Sequence, residues 1–494
     1  MDLSILDIHL HGFDGKKGTH VGHLFRYGAQ QPNGVMRFVP LPAYAADDER
    51  PVLSLLFTDE TAEETQRHLA DIAAAEFNGR RQLNGPVDEK GLTPFLLPPW
   101  FQNLLPEGAF RTHIAELRGC AETDYFELLA ACGTDLPGAV YAVPVKEVDQ
   151  ALMQRLVTQN HDALEASVVD IPLVEGISLS GIQPKLGVNK DAQGRYVSRT
   201  TLNETTHIIA KLPVVDHPLM PEVEHLSMQL ARLAGVNACE TELVPLEQLF
   251  ARHGYDIGDP DLKVTHFLAV PRYDRTARER VHAEDFAQAL GFLPHEKYTS
   301  EVPYATVMRY MLQFPSLGEA AVLELLRRLA VNELLGNPDC HLKNIGVYFP
   351  DGKTPQLPPA YDIVAHHLYN GARGHALYLL PPQTQQALEQ RQHAKADKDF
   401  HQTHGRAPEE GEASPWKRLL LLSPATLKAL AEAVGLPYKV FQRTADQVVQ
   451  AAVKTWPAAI EAGALTARQR ERMAAYLEEH PAVMGVRRRE RQRG

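Results

Sequence analysis

The feature that most narrows this chain is an apolar helical run that stops at a glycine and opens into a polar loop. Residues Ala321 to Leu335 have the pattern of a helix, and Gly336 is the residue type that lets a helix close with left-handed backbone. The loop reads Asn337-Pro338-Asp339-Cys340-His341-Leu342-Lys343-Asn344, and a strand is expected over Ile345 to Phe349. Asp339 and Asn344 stand five apart. A second acidic residue, Asp362, follows in Tyr361-Asp362-Ile363 behind Pro358-Pro359.

The D-x-x-x-x-N spacing suits phosphoryl transfer. The carboxylate can accept the proton of an attacking hydroxyl, and the amide oxygen can help hold Mg²⁺. A metal-bound phosphate needs a further anionic oxygen ligand, which Asp362 could supply. Taken alone, the loop is equally well a polar helix-to-strand connection capped by Asn337 and Asp339.

Composition sets the outer bounds. At 494 residues, 44% hydrophobic and 23% charged, the chain has globular values and room for two to four domains. A net charge of −12 argues against a surface devoted to nucleic acid or membrane. The four cysteines are widely spaced with no C-x-x-C, which excludes an obvious zinc site or disulfide framework and points to a reducing cytoplasm. The first residues lack a signal-peptide pattern, and no apolar run approaches the ~18 residues of a membrane helix.

Read in order, residues 1 to 57 suggest a small β-rich unit, with strands at Leu6 to Leu10, His20 to Tyr27, Val35 to Val39 and Val52 to Phe57. Thr61 to Asn78 is helical in pattern, Tyr125 to Cys132 is a short apolar helix, and residues 146 to 170 read as a helical connection between lobes. Strand-like pieces at Ile177 to Leu179 and Leu186 to Val188 flank Gly181, and His207 to Lys211 is another strand. A small-residue turn between strands can aim backbone N–H groups at phosphates, with Lys211 as a point charge. A plain hairpin and a solvated lysine fit these residues as well. Glu224 lies near the start of a helix over Glu222 to Ala234, where it could pair Lys211 or simply answer the helix dipole. The strand Phe267 to Val270 runs into Pro271-Arg272-Tyr273, a connector of the kind that holds an adenine by backbone groups. From Glu284 onward the chain turns helical. Residues 384 to 414 are polar and charged enough to form a mobile helix or a disordered insertion, and the last eight residues, with five arginines, read as a disordered tail. Leu427 to Gln442 superficially reads as a helix-turn-helix but lacks a polar recognition face.

Jointly these segments resemble the HipA family of bacterial serine/threonine kinases, toxins of toxin–antitoxin modules. The resemblance is carried by Ser178 to Lys185, Thr206 to Pro213, Leu268 to Arg275, His282 to Phe286, Gly336 to Asn344 and Tyr361-Asp362. Asn103 to Gly108 and Gly133 to Val140 add the family's first subdomain. It covers about residues 1 to 380, and the 384–414 segment has no counterpart in it. The resemblance implies an α+β, two-lobed protein-kinase-like fold. A β-rich N-terminal subdomain (1–145) would be followed by a nucleotide-binding lobe (146–275) and an all-helical C-terminal lobe (276–494).

It also implies roles. Asp339 would be the catalytic carboxylate, and Asn344 and Asp362 the Mg²⁺ ligands. ATP would be bound by Ser180, Gly181, Ile182, Gln183, Pro184 and Lys185 as phosphate loop, Lys211 as phosphate contact, Pro271, Arg272 and Tyr273 as hinge, and His341, Lys343, Asn344, Tyr361 and Asp362 as pocket lining. Glu224 would be the ion-pair partner of Lys211. Ser178, with Ser180 in an S-x-S pattern, would be autophosphorylated. The implied partners are a protein substrate, with aminoacyl-tRNA synthetases among the family's substrates, and a helix-turn-helix antitoxin of HipB type. Operator DNA would be reached through the antitoxin, and no membrane is involved. A reading of another class is a DNA-bound co-repressor in which kinase activity is secondary or lost. The intact Asp339, Asn344, Asp362 and Lys211 argue against that loss.

Overall fold

Alternation at the N-terminus builds the first layer. In the computed structural model β1 (Asp2–Leu10) sends Leu6, Ile8 and Leu10 into one core, while Leu3 and Ile5 join Phe25 and Val39 in a smaller cluster. The structure describes residues 2–27, 35–74, 97–145, 165–166, 169–179, 183–253, 255–257, 266–371, 373–409, 412–414, 416 and 418–493. β1 pairs antiparallel with β2 (Thr19–Tyr27) and β4 (Val140–Pro144), and β3 (Val35–Pro40) extends the sheet beyond β2. The expected helix after Thr61 forms over Ala62–Ala74, and the Tyr125–Cys132 helix packs against β4, its N-cap Asp124 accepting from Glu127 N.

One expectation fails here, and another is tested only at its end. Val52 to Phe57 is not a strand: Leu55–Phe57 is a 3-10 turn, because Ser54 Oγ and Leu55 N both donate to the buried Glu284 carboxylate and curl the segment toward it. Most of the 146–170 connection lies outside the described residues, but Glu165–Ala166 forms β5, paired in parallel with the start of β1.

The second layer is a five-stranded antiparallel sheet in the order β7-β6-β8-β10-β9. Its strands are β6 (Lys185–Lys190), β7 (Tyr196–Val197), β8 (Ile208–Lys211), β9 (Glu242–Pro245) and β10 (His266–Pro271). The Met220–Leu233 helix covers one face through Val223, Leu226 and Leu230, and Leu186, Val188, Ala210 and Phe267 form a core on the other. Ile177 to Leu179 is not a ladder strand; it is a buried connector, with Ser178 N donating to Asp135 O at 3.1 Å.

The third layer is helical apart from a two-stranded ribbon, β11 (His282–Asp285) with β12 (Gly346–Phe349). At its centre the Gly318–Leu335 helix is buried along most of its length, packing Val322, Leu325, Leu329 and Leu334 into the core. Its one buried carboxylate, Glu333, accepts from Leu421 N (2.6 Å) and Leu422 N (2.9 Å) and pairs His375 (2.9 Å) and His480 (3.2 Å). The helix end is thereby fixed to the C-terminal segments. Tyr438–Ala462 reaches across the lobes, where Trp456 Nε1 donates to Leu230 O at 2.9 Å.

Two polar stretches are more ordered than their composition suggests. Pro382–His404 is a helix, anchored where Gln385 Oε1 accepts from Leu379 N and Glu389 Oε1 from Leu419 N. The arginine-rich end forms the Pro481–Arg493 helix, because Val483 and Val486 dock on the core and Arg487 pairs Glu478 at 3.0 Å. Leu427 to Gln442 belongs to two core helices, Pro424–Val434 and the 25-residue Tyr438–Ala462, with Phe441 buried. Among the described residues no helix is long and apolar enough to cross a membrane.

Candidate active site

The catalytic-type loop is set by Gly336. It closes the Gly318–Leu335 helix at φ +61°, and an added Cβ there would meet His367 Cβ and Tyr476 Cζ at 2.8 Å. Beyond it the loop is locked by its own amides. Asn337 Nδ2 donates to Asn332 Oδ1 (2.9 Å), Asp339 N donates to Asn337 Oδ1 (3.1 Å), and Asn344 Nδ2 donates to Asp339 O (2.7 Å). The two ends of the D-x-x-x-x-N stretch are therefore tied to each other. Asp339 keeps its carboxylate partly exposed, and Tyr298 donates its hydroxyl hydrogen to Oδ1. His341 lies edge-on to Tyr298 (4.9 Å, 84°), and burial holds its imidazole below the ordinary value.

Asp362 faces this loop across a cavity of about 540 Å³. Its φ of +61° is rare for a residue with a Cβ. Its carboxylate meets Lys211 Nζ, which also meets Glu224. Burial alone would raise the Asp362 pKa, but Lys211 and then Lys185 pull it well below the carboxylate range. Burial opposes the charge of Lys211, yet Asp362 and Glu224 outweigh it and raise that pKa. Glu224 stays above its ordinary value because burial exceeds the pull of Lys211. Lys211 reaches the cleft because β8 pairs β6 without a register shift, Lys185 opposite Lys211 and Leu186 opposite Ala210. Alternation then sends Ala210 into the core behind. Burial, only partly offset by Asp362, lowers the pKa of Lys185.

The other sequence-derived candidates divide. Gln183, Pro184, Pro271, Tyr273 and Tyr361 line the same cavity, with Tyr273 stacked on Tyr361 (5.4 Å, 22°). Arg272 lies at the cavity, but its guanidinium is bound to Asp274 (3.0 and 2.9 Å) and Asp135 (3.4 Å). Its N–H donates to His207 O. Lys343 also lines the cavity, yet its ammonium is held by Asn103 Oδ1 (3.0 Å), Asp285 (3.2 Å) and Glu107 (3.5 Å). Ser178 is buried, its hydroxyl donating to Leu104 O. Ser180, Gly181 and Ile182 lie outside the described residues.

Among the cleft residues that sequence reasoning missed are Asn103, Lys297 and Tyr298, with Glu107 bonded to Lys297 and Lys343. Glu107 bridges Lys297 (3.3 Å) and Lys343. Burial opposes its ionisation, but the two lysines draw its pKa down to about 2. Asn103 and Glu107 interrupt a proline-framed apolar run, which was a usable signal. Tyr298 offered none, since nothing local links it to a carboxylate 41 residues away.

Comparison with known proteins gives the family and the fold. Residues 177–456 match the family described as HipA-like C-terminal domain, and residues 16–143 match the HipA N-terminal domain. A Sinorhizobium fredii protein named "Putative kinase Y4dM" is 35% identical over 324 residues, covering 65% of this chain and 70% of that protein. The "Serine/threonine-protein kinase toxin HipA" of Shewanella oneidensis is 26% identical over 309 residues, 58% of this chain and 66% of that one. The solved structure of the Shewanella oneidensis toxin–antitoxin HipA, HipB and operator DNA complex shares the fold, with a TM-score of 0.60 at 17% identity over 98% of this chain and 99% of that chain. With a family match over more than half its length and the two-lobed, kinase-like α+β layout described above, this chain belongs to the HipA family.

Proposed function

We propose that this chain is an ATP- and Mg²⁺-dependent serine/threonine protein kinase, toxin-like, that limits itself by phosphorylating its own 178–180 segment. The observation that carries the reading is the convergence of Asp339, Asn344, Asp362 and Lys211 on one cleft between the sheet layer and the helical layer. The donor set fits the metal: Asn344 and Asp362 offer hard oxygens, and Lys211 keeps Asp362 ionised. When bound, Mg²⁺–ATP supplies the transferable phosphoryl group and neutralises its oxygens. Lys211 and Lys185 hold the phosphate end, the Pro271 carbonyl accepts from the adenine amine, and Tyr273 on Tyr361 walls the base. Asp339 would orient the substrate hydroxyl and take its proton as the hydroxyl oxygen bonds to the γ-phosphorus and the bond from that phosphorus to the bridging oxygen breaks, releasing ADP.

Burial of Ser178 gives the self-limitation a physical form. The hydroxyl can be modified only after its segment leaves the site, and a phosphate of about −2 charge, with no proton to donate, cannot re-enter against the Leu104 carbonyl. Membership of the HipA family, and the fold shared with a HipA seen with HipB and operator DNA, support an antitoxin partner of HipB type that brings the chain to DNA. The proposed substrate class is a protein, with aminoacyl-tRNA synthetases first to be tried.

The test is intact mass of the purified chain before and after Mg²⁺–ATP, beside Asp339→Ala. The expected result is a phosphate-sized gain mapping to Ser178 or Ser180, absent in the variant. An unchanged mass with ATP still bound would overturn self-phosphorylation and favour a co-repressor. Failure to bind ATP would overturn the nucleotide site itself.

A further inference from the structure

The outer face of the N-terminal sheet carries a second cluster of chemistry, distant in sequence from the cleft residues. Asp7 and His9 lie on β1, His20 and His23 on β2, and Tyr141 on β4 opposite His9. His20 and His23 are three apart, so regular alternation would place them on opposite faces. The ladder prevents this. Asp7 pairs His23 and Ile8 pairs Gly22, but His9 then pairs His20, so Val21 is an extra residue. Val21 turns into the core, fully buried, and the bulge brings His20 round to the face of Asp7 and His9.

The result is a converging donor set. One ligand atom each from Asp7, His9 and His20 lies within 4.8 Å of the others. His20 Nε2 stands 3.4 Å from Asp7 Oδ1, the place where an imidazole proton and a metal ion compete. His23 Nδ1 bonds the same carboxylate oxygen at 2.7 Å and fixes its orientation. Tyr141 stacks on His9 (4.8 Å, 10°), and His9 on His20 (4.3 Å, 23°). Closing on an ion requires turning the half-buried His9 ring out of this stack. Two imidazoles and a carboxylate select a borderline divalent ion over Mg²⁺ or Ca²⁺, which take oxygen sets, and over thiophilic Cu(I).

We propose that Asp7, His9 and His20 form a binding site for one divalent transition-metal ion of the zinc class, with His23 as the positioning residue behind Asp7. The ion would cross-link β1 and β2 at the bulge and leave a coordination position open to solvent.

The test uses the full chain without an affinity tag. Zn²⁺ is titrated calorimetrically in excess Mg²⁺, which occupies oxygen-only sites, and Co²⁺ binding is followed by visible absorption. His9→Gln/His20→Gln is compared with His401→Gln/His404→Gln, which removes two exposed histidines elsewhere, and circular dichroism checks that both fold. The expected result is one equivalent bound by the parent and by the second variant, with affinity at least about tenfold weaker in the first. His23→Gln should weaken binding less while preserving the Co²⁺ spectrum. Equal zinc stoichiometry and affinity in the His9/His20 variant, or no binding by the parent, would overturn the site.

Discussion

The hydroxyl of Tyr298 donates to Asp339 Oδ1, so the carboxylate proposed to accept a substrate proton already holds a phenol. A substrate hydroxyl has to displace this bond. Tyr298→Phe should therefore raise Mg²⁺–ATP turnover in the absence of protein substrate, by about tenfold or more for one hydrogen bond to a charged group. ATP affinity should stay unchanged. Steady-state kinetics beside nucleotide titration checks this, and lower turnover would show that Tyr298 assists Asp339 instead.

Lys211 neutralises two carboxylates at once. Lys211→Met leaves the buried Glu224 carboxyl without its partner, so stability should fall by about 3 kcal/mol or more. Adding Glu224→Gln should recover part of that stability but none of the phosphoryl transfer. Urea unfolding of the single and double variants separates the structural role from the chemical one.

Glu284 joins the N-terminal unit to the helical lobe. Burial pushes its pKa up to about 7, against the donors Leu55 N, Ser54 and Trp100. A carboxyl whose folded pKa exceeds its unfolded value binds its proton more tightly in the native state. Its contribution is full below about 4.5 and is lost as pH rises through about 7. The parent should lose up to about 3 kcal/mol across that window from this group. Glu284→Gln should be less stable at low pH and show a flatter profile, measured by denaturant midpoints from pH 5 to 8.

Gly336→Ala tests the geometry of the loop. The left-handed φ and the contacts with His367 and Tyr476 should together cost about 2 kcal/mol, and Asp339 should shift with the loop. Thermal unfolding should fall and phosphoryl transfer should fall with it, while Gly371→Ala, also at positive φ but with no atom within 4 Å of the added Cβ, should leave transfer unchanged.

The sequence by itself determined the local elements and the types of residue that chemistry would need. Period-two alternation marked β1, glycine stops marked the Gly318–Leu335 and Met220–Leu233 helices, and the spacing of Asp339, Asn344 and Asp362 marked the cleft, because each signal is local to a few turns of chain. Where composition was the only guide it misled. The 487–494 tail looked disordered and the 384–414 segment a mobile helix or a disordered insertion, yet Gln385, Val483 and Val486 dock on a core built by residues far away. The curl of Val52 to Phe57 and the capture of Lys343 by Asn103, Glu107 and Asp285 were likewise decided by tertiary structure, as was the capping of Asp339 by Tyr298. Each depends on a charged or polar group buried by a distant segment, and a buried charge must find its partner wherever the fold brings one.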